Sequence, residues 1–198
     1  MSRIDEMIAE LCPGGVEYRK IKEIVTVDRG VRVVRKDLSD TGDFPVYQNS
    51  LTPLGFYSES NVAPATVFII GAGAAGDIGF SLGPFWAADD CYPLVCSNAI
   101  DSKYLFHCLL NQQHGIKQKV RKASIPRLSR SVIESLLIPV PPMEIQKEVV
   151  RILDSFAELE AELEAELEAR KAQYAFYRDE LLNFKRERES SLADSRGM

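Results

Sequence analysis

The sequence has 198 residues, of which 45% are hydrophobic and 9% aromatic, and it contains 10 prolines. That is enough for one domain with its own core plus an accessory element, and too much proline for a simple helical bundle. The net charge of −5 is unevenly spread: residues 1–142 carry 15 Lys+Arg and 15 Asp+Glu, whereas 143–198 carry 9 and 14, so the acidity excludes no anionic partner for the first part.

In chain order, SRIDEMIAELCPGG reads as a short amphipathic helix with Ile4, Met7, Ile8 and Leu11 on one face and Ser2 as its cap. From Val16 to about Ala99 the pattern changes to short β-like runs between turns: VEYRKI, EIVTVDRG, FPVYQNS, GFYSES, ATVFII, DIGFSL and PLVCS. Lys103–Gln113 reads as a helix with Tyr104, Leu105, Cys108, Leu109 and Leu110 as its apolar stripe. A basic loop, HGIKQKVRKASIPRLSRS, follows, and then SVIESLLIP, a short helix or strand. Beyond Pro141-Pro142 the composition shifts: Met143 to about Arg188 lacks glycine and proline and reads as one long helix. Its apolar seam runs Val149, Ile152, Phe156, Leu159, Leu163, Leu167, Tyr174, Tyr177, Leu181, Phe184, with a stutter at Leu159-Leu163-Leu167. Such a helix spans about 60 Å at roughly 1.5 Å per residue, and its seam needs a partner. The expected organisation is a domain over 1–142, a coiled-coil helix over 143–188 and a disordered tail over 189–198.

The glycines of TVFIIGAGAAGDIGF match G-x-G-x-x-G after a strand, the dinucleotide fingerprint. The fingerprint requires a helix next, and DIGFSLGPFW, with Gly79, Gly83 and Pro84 inside it, forms none. A glycine-rich turn between two strands is the better reading, despite Asp89-Asp90 downstream. Asp101-Ser102-Lys103 has nuclease-like spacing but lacks a paired acid. There is no Walker loop, H-E-x-x-H, G-x-S-x-G or Asn/Asp-Pro-Pro-aromatic motif, so no catalytic residue is expected. Cys12, Cys91, Cys96 and Cys108 have no C-x-x-C spacing, and His107 and His114 alone could join them. Reduced thiols and no metal are expected. No run of about eighteen apolar residues and no leader is visible, so a cytoplasmic protein without a membrane segment is expected.

Two basic segments remain. GIKQKVRKASIPRLSR carries Lys117, Lys119, Arg121, Lys122, Arg127 and Arg130 without an acid, suited to phosphate contact. VDRGVRVVRKD carries Arg29, Arg32, Arg35 and Lys36. Arginine can read guanine bidentately, and Gln48 or Asn49 could read adenine. Each set reads equally well as solvated surface charge.

Taken together, the chain resembles the specificity subunit of type I restriction–modification systems. LCPGGVEYRKIKEI is similar to the entrance of its target-recognition domain, FPVYQNSLTPLGFYSES to its Pro-Val-Tyr segment, and ATVFIIGAGAAGDIGFSLGPFWAADDCYPL to its glycine hairpin and Pro-Phe-Trp signature. SIPRLSRSVIESLLIPVPPMEIQKEVVRILD is the most specific stretch, through Leu128, Ile138-Pro139-Val140-Pro141-Pro142, Glu144 and Gln146. The resemblance covers about residues 11–184. It implies an α+β protein: one mixed α/β recognition domain with a curved sheet, then a long coiled-coil helix.

It further implies a non-catalytic reader of double-stranded DNA. Methyltransferase subunits, which use S-adenosylmethionine, dock on its helix, and a restriction subunit is an optional further member. No cofactor is implied in this chain. Family members carry two recognition domains and two helical regions; here there is one of each, so the chain looks like half a subunit. A half rebuilds the antiparallel helix pair by homodimerisation through Ile152, Phe156, Leu159, Leu163, Leu167, Tyr174 and Leu181, and then reads a bipartite palindrome. The alternatives are a coiled-coil interaction protein whose head binds no DNA and, third, an enzyme.

Overall fold

A computed structural model describes residues 3–183. Ser2, Phe184, the helical assignment of 184–188 and the expected tail lie outside the described residues. The chain begins with α1 (Arg3–Leu11), β1 (Tyr18–Lys20), α2 (Ile21–Ile24), β2 (Val25–Val27) and a 3-10 turn at Arg35–Asp37. It continues through β3 (Phe44–Tyr47), β4 (Phe56–Tyr57), β5 (Thr66–Ile70), β6 (Ile78–Ser81), β7 (Trp86–Ala87) and β8 (Cys91–Cys96). It ends with α3 (Ser102–Gln118), α4 (Arg130–Glu134), β9 (Leu137–Pro139) and α5 (Met143–Leu182).

Three sheets result, with orders β1-β9, β2-β8-β5-β6 and β4-β3-β7. All pairings are antiparallel except β3 with β7. Each of the seven runs expected to be β contains a strand. DIGFSL is β6, paired with β5, so the glycines 71–76 sit in a strand-to-strand turn and not before a helix. Two expectations need correction. α3 continues to Gln118, so the start of the supposed basic loop, including Lys117, is helical. Leu110 does not join the buried stripe, which is Tyr104, Leu105, Leu109 and Ile116. SVIESLLIP is both helix and strand: α4, capped where Ser129 Oγ accepts from the Val132 N–H, runs into β9.

β5 is buried along its whole length because both faces are covered. Successive side chains alternate across a strand. Val67 and Ile69 therefore join one core with α2, α3 and Leu94, while Phe68 and Ile70 join another with Val62, Phe85, Ala87 and Cys91. Tyr47 of β3 closes the second core, its ring 4.7 Å from Phe68 and 5.4 Å from Phe85. Gly79 is required opposite Phe68, because a Cβ there would lie 2.3 Å from the ring.

The compact unit extends past the proline run to Arg151 and so includes the first turns of α5, so the expected boundary at 142/143 marks the helix start and not the unit's edge. Gln146 explains why. It is fully buried; its Oε1 accepts from the Asp101 N–H at 2.8 Å, and its Nε2 donates to Ala99 O at 2.9 Å and Pro141 O at 2.8 Å. Asp101 in turn caps α3, accepting from the N–H groups of Lys103 and Tyr104. One side chain thus fastens the α5 start to the α3 start. In the second unit α5 keeps an exposed apolar seam: Phe156, Leu159, Leu163, Leu167, Tyr174 and Leu181 are all more than half exposed. No described helix is long and apolar enough to cross a membrane.

Candidate nucleic-acid interface

The turn between β5 and β6 works as a docking hub. Gly73 has φ +79°, and a Cβ on it would lie 2.8 Å from Asn49 O. Asn49 O accepts from the Ala74 N–H at 2.9 Å, which fastens the segment after β3 to the turn. The supposed loop after α3 docks on the other side: Gly73 N–H donates to Pro126 O at 3.2 Å and Leu128 N–H to Gly71 O at 2.8 Å. Gly76 lies against Lys117, whose Nζ is 2.7 Å from Asp77 Oδ1. Gly71 N–H donates to Asp90 O, and the Asp90 carboxylate is 3.9 Å from Arg127. Small residues let four remote backbones approach at once.

The basic segment 121–127 is itself closed by mutual main-chain bonds, Arg121 N–H to Arg127 O at 2.8 Å and Arg127 N–H to Arg121 O at 3.2 Å. Lys119, Arg121, Lys122, Arg127 and Arg130 are exposed around it. The other basic segment reaches the same neighbourhood. Arg32 and Arg35 line a cleft of about 360 Å³ together with Gln48, Ala88 and Asp89. Val31 anchors that segment, its N–H donating to Ala87 O and its carbonyl accepting from Trp86 Nε1 at 2.8 Å.

The structure therefore brings together Arg32, Arg35, Gln48, Asn49, Lys117, Arg121 and Arg127 through the glycine turn and Asp89-Asp90. Arg29 is apart, lining a different pocket with Asp28, Asn61 and Thr66. Lys36 stands exposed on the 3-10 turn. Among the described residues, Arg29, Arg32, Arg35, Lys36, Lys119, Arg121 and Lys122 make no ion pair, whereas Lys117, Arg127 and Arg130 do. Sequence reading misses the part played by Asp77, Asp89 and Asp90. In the sequence the last two register only as a poor cofactor signal.

Three of the four thiols offer no competing chemistry. Burial pushes Cys96 up to about 11 and also raises Cys91 and Cys108, so these groups stay protonated at neutral pH. No three His, Cys, Asp or Glu side chains gather as a metal site among the described residues.

The model of the type I restriction–modification DNA specificity domain matches residues 13–169. The chain belongs to that family. A type I specificity subunit of Mycoplasma pneumoniae is 33% identical over 171 residues, which is 84% of this chain and 47% of the relative. A type I restriction enzyme specificity subunit of Haemophilus influenzae is 28% identical over 186 residues, 85% of this chain and 46% of the relative. The type I restriction–modification S subunit from M. genitalium superposes with TM-score 0.67 at 18% identity, over 72% of this chain and 40% of that one. The HsdS subunit from Thermoanaerobacter tengcongensis gives 0.61 at 16% identity, over 82% and 44%. These likenesses establish the fold of the specificity-domain chain: a mixed α/β domain followed by a long helix. The chain spans about half the length of these curated relatives.

Proposed function

We propose that the chain is the sequence-reading component of a type I restriction–modification complex. It holds double-stranded DNA against the glycine-turn face and positions partner methyltransferase subunits for adenine methylation. It contributes no catalytic group, and S-adenosylmethionine belongs to the partner. A restriction subunit can join the same assembly. The observation that carries this reading is the convergence of two basic segments, far apart in sequence, whose cations are largely without carboxylate partners among the described residues. Such cations can neutralise phosphates and release counterions without first breaking an ion pair.

The exposed seam of α5 supports the second part of the proposal, an antiparallel homodimer. Glu158, Glu160, Glu162 and Glu164 have no ion pair among the described residues, whereas Arg170 and Lys171 already bond Glu166 and Glu168 of their own helix. A parallel partner would place like charges side by side; an antiparallel one brings the acidic stretch beside the Arg170–Arg178 region. Two identical readers related by a two-fold axis demand a palindromic, two-part target with an unread spacer.

The test is a salt titration of DNA binding by the full chain, followed by methylation mapping with its methyltransferase. Affinity falling steeply with salt, and adenines methylated in a split palindrome, are expected. Salt-independent or absent binding returns the chain to a coiled-coil interaction protein, and two unrelated half-sites would replace the homodimer with a heterodimer. Methyl transfer by the chain alone would make it an enzyme.

A further inference from the structure

The cations divide into two groups with different mechanical settings. Lys119, Arg121 and Lys122 lie on an exposed segment and make no ion pair among the described residues. Arg32 and Arg35 instead line one cleft with Asp89 and Gln48. Asp89 has no ion pair or hydrogen bond among the described residues, although Asp90 beside it does. An uncommitted carboxylate on a DNA-facing surface repels every phosphate near it. It is unfavourable there unless it meets a donor, and in duplex DNA donors lie on base edges.

The walls of this cleft are tied together through main chain. β3 and β7 pair in parallel, Val46 with Trp86 and Tyr47 with Ala87. Ala88 N–H donates to Tyr47 O at 2.9 Å, and Gly30 N–H to Cys91 O at 3.0 Å. A Cβ on Gly30 would lie 1.9 Å from Ala88 O, so the arginine-bearing segment runs directly against the Asp89-bearing one. Main-chain bonds thus hold the segments beside Arg32, Gln48 and Asp89, while the side chains of Arg32, Arg35, Gln48 and Asp89 make no hydrogen bond or ion pair among the described residues. That arrangement suits recognition, because little ordering of the backbone is left to pay for on binding.

We infer that Arg32, Arg35, Gln48 and Asp89 form a base-reading cleft for the major-groove edge of a G·C pair and an adjoining A·T pair, while the Lys119–Arg127 segment grips phosphate without regard to sequence. This rests on the DNA-reading function proposed above. A G·C pair presents guanine's two acceptors, O6 and N7, next to cytosine's N4 donor, and an A·T pair does not. A guanidinium matches the first and a carboxylate the second. The Gln48 amide, donor and acceptor at once, matches N7 and N6 of adenine on the next pair.

The test uses the full chain and a pool of duplexes with a randomised core, retained, sequenced and compared with the pools kept by Asp89→Ala and Gln48→Ala. The wild-type chain should enrich a motif containing a fixed G·C pair beside a fixed A·T pair. Asp89→Ala should lose roughly 5- to 150-fold of preference at the G·C position only, with affinity for the unselected pool undiminished or higher because an acid has been removed. Gln48→Ala should lose preference at the adjoining A·T position alone, which keeps the inference testable should Asp89→Ala fold poorly. Unchanged motifs in a folded variant overturn the cleft, as does uniform weakening towards all sequences. Salt-dependent binding with no enriched motif also overturns the cleft and leaves the DNA-binding function standing. No binding to any duplex defeats the function itself.

Discussion

Gln146→Ala should destabilise the recognition domain by about 3–5 kcal/mol. The Gln146 side chain is fully buried and makes three hydrogen bonds. Alanine strands the Asp101 N–H and the Pro141 carbonyl away from water, at about 1–3 kcal/mol each, while Ala99, which is exposed, can turn to solvent. The vacated volume adds a cavity penalty. Against a total stability of about 5–15 kcal/mol this is a large fraction. The urea midpoint should fall by about 1–5 M for a slope of roughly 1–3 kcal/mol/M. Trp86, the single tryptophan, sits in β7 and reports on this domain through its fluorescence. Gln146→Glu separates lost packing from lost hydrogen bonding. Its carboxylate would face two carbonyl oxygens, so burial and repulsion raise its folded pKa above the unfolded value of about 4.3. A raised folded pKa means that its stability is fully present below the unfolded value and is lost as pH rises through the folded one. That variant should therefore be most nearly wild type in acid. A drop below about 1 kcal/mol for Gln146→Ala, or a Gln146→Glu variant that gains stability with rising pH, would refute the latch.

Four further outcomes are expected. Replacing Lys119, Arg121 and Lys122 by alanine should weaken binding to all duplexes alike and reduce the salt slope by about 0.9 for each phosphate no longer neutralised, as measured by fluorescence anisotropy across a salt series. Leu163→Glu should weaken the proposed homodimer by about 3–6 kcal/mol, since two copies each lose the burial of a leucine, and light scattering should then report monomer. Gly73→Ala should cost more than about 1 kcal/mol through its left-handed φ and also displace Asn49, giving a lower melting temperature and blurred target selectivity. Glu148 is held below the usual carboxylate range by hydrogen bonds from Arg151, against partial desolvation, with the charges of Arg151 and Arg3 adding to the effect. Its stabilisation is present above the unfolded pKa and lost as pH falls through the depressed folded one, so Glu148→Gln should flatten the acid limb of a stability–pH curve.

The strands are legible in the sequence because their alternation is bounded by glycine and proline, and α5 because nothing within it interrupts a helix. β7 is not: Trp86-Ala87 is two residues long and becomes a strand only by pairing with β3, 40 residues earlier in the chain. α3 runs past its expected end because Gly115 lies on an open face with nothing near it, so its modest helical cost is outweighed by the burial of Ile116 one residue on. The convergence of the two basic segments depends on main-chain bonds, those of Pro126 and Leu128 to the glycine turn and those of Gly30 and Val31 to Cys91 and Ala87, and main-chain bonds leave little mark on residue type. Gln146 stands out in the sequence as part of a motif. Its role does not, because an exposed and a fully buried glutamine are the same letter.

On the proposed function, the glycine turn separates fold from specificity. In a dinucleotide-binding protein the same glycines would bring a backbone close to a pyrophosphate. Here they bring backbones close to one another: Asn49 and Pro126 bond the turn itself, and Asp90 bonds Gly71. The bonds that hold the readers in place are therefore made by carbonyls and N–H groups, which nearly every residue possesses. The candidate reading side chains, Arg32, Arg35, Gln48 and Asp89, contribute none of these bonds. Their replacement should alter what is read while leaving the frame intact, whereas replacement of Gly71 or Gly73 should disturb the segments of Gln48 and Asp89 together, through Asn49 and Asp90. On the proposed function, a recognition domain built this way can acquire a new target by changing a few side chains, because stability and specificity then rest on different atoms of the same segments.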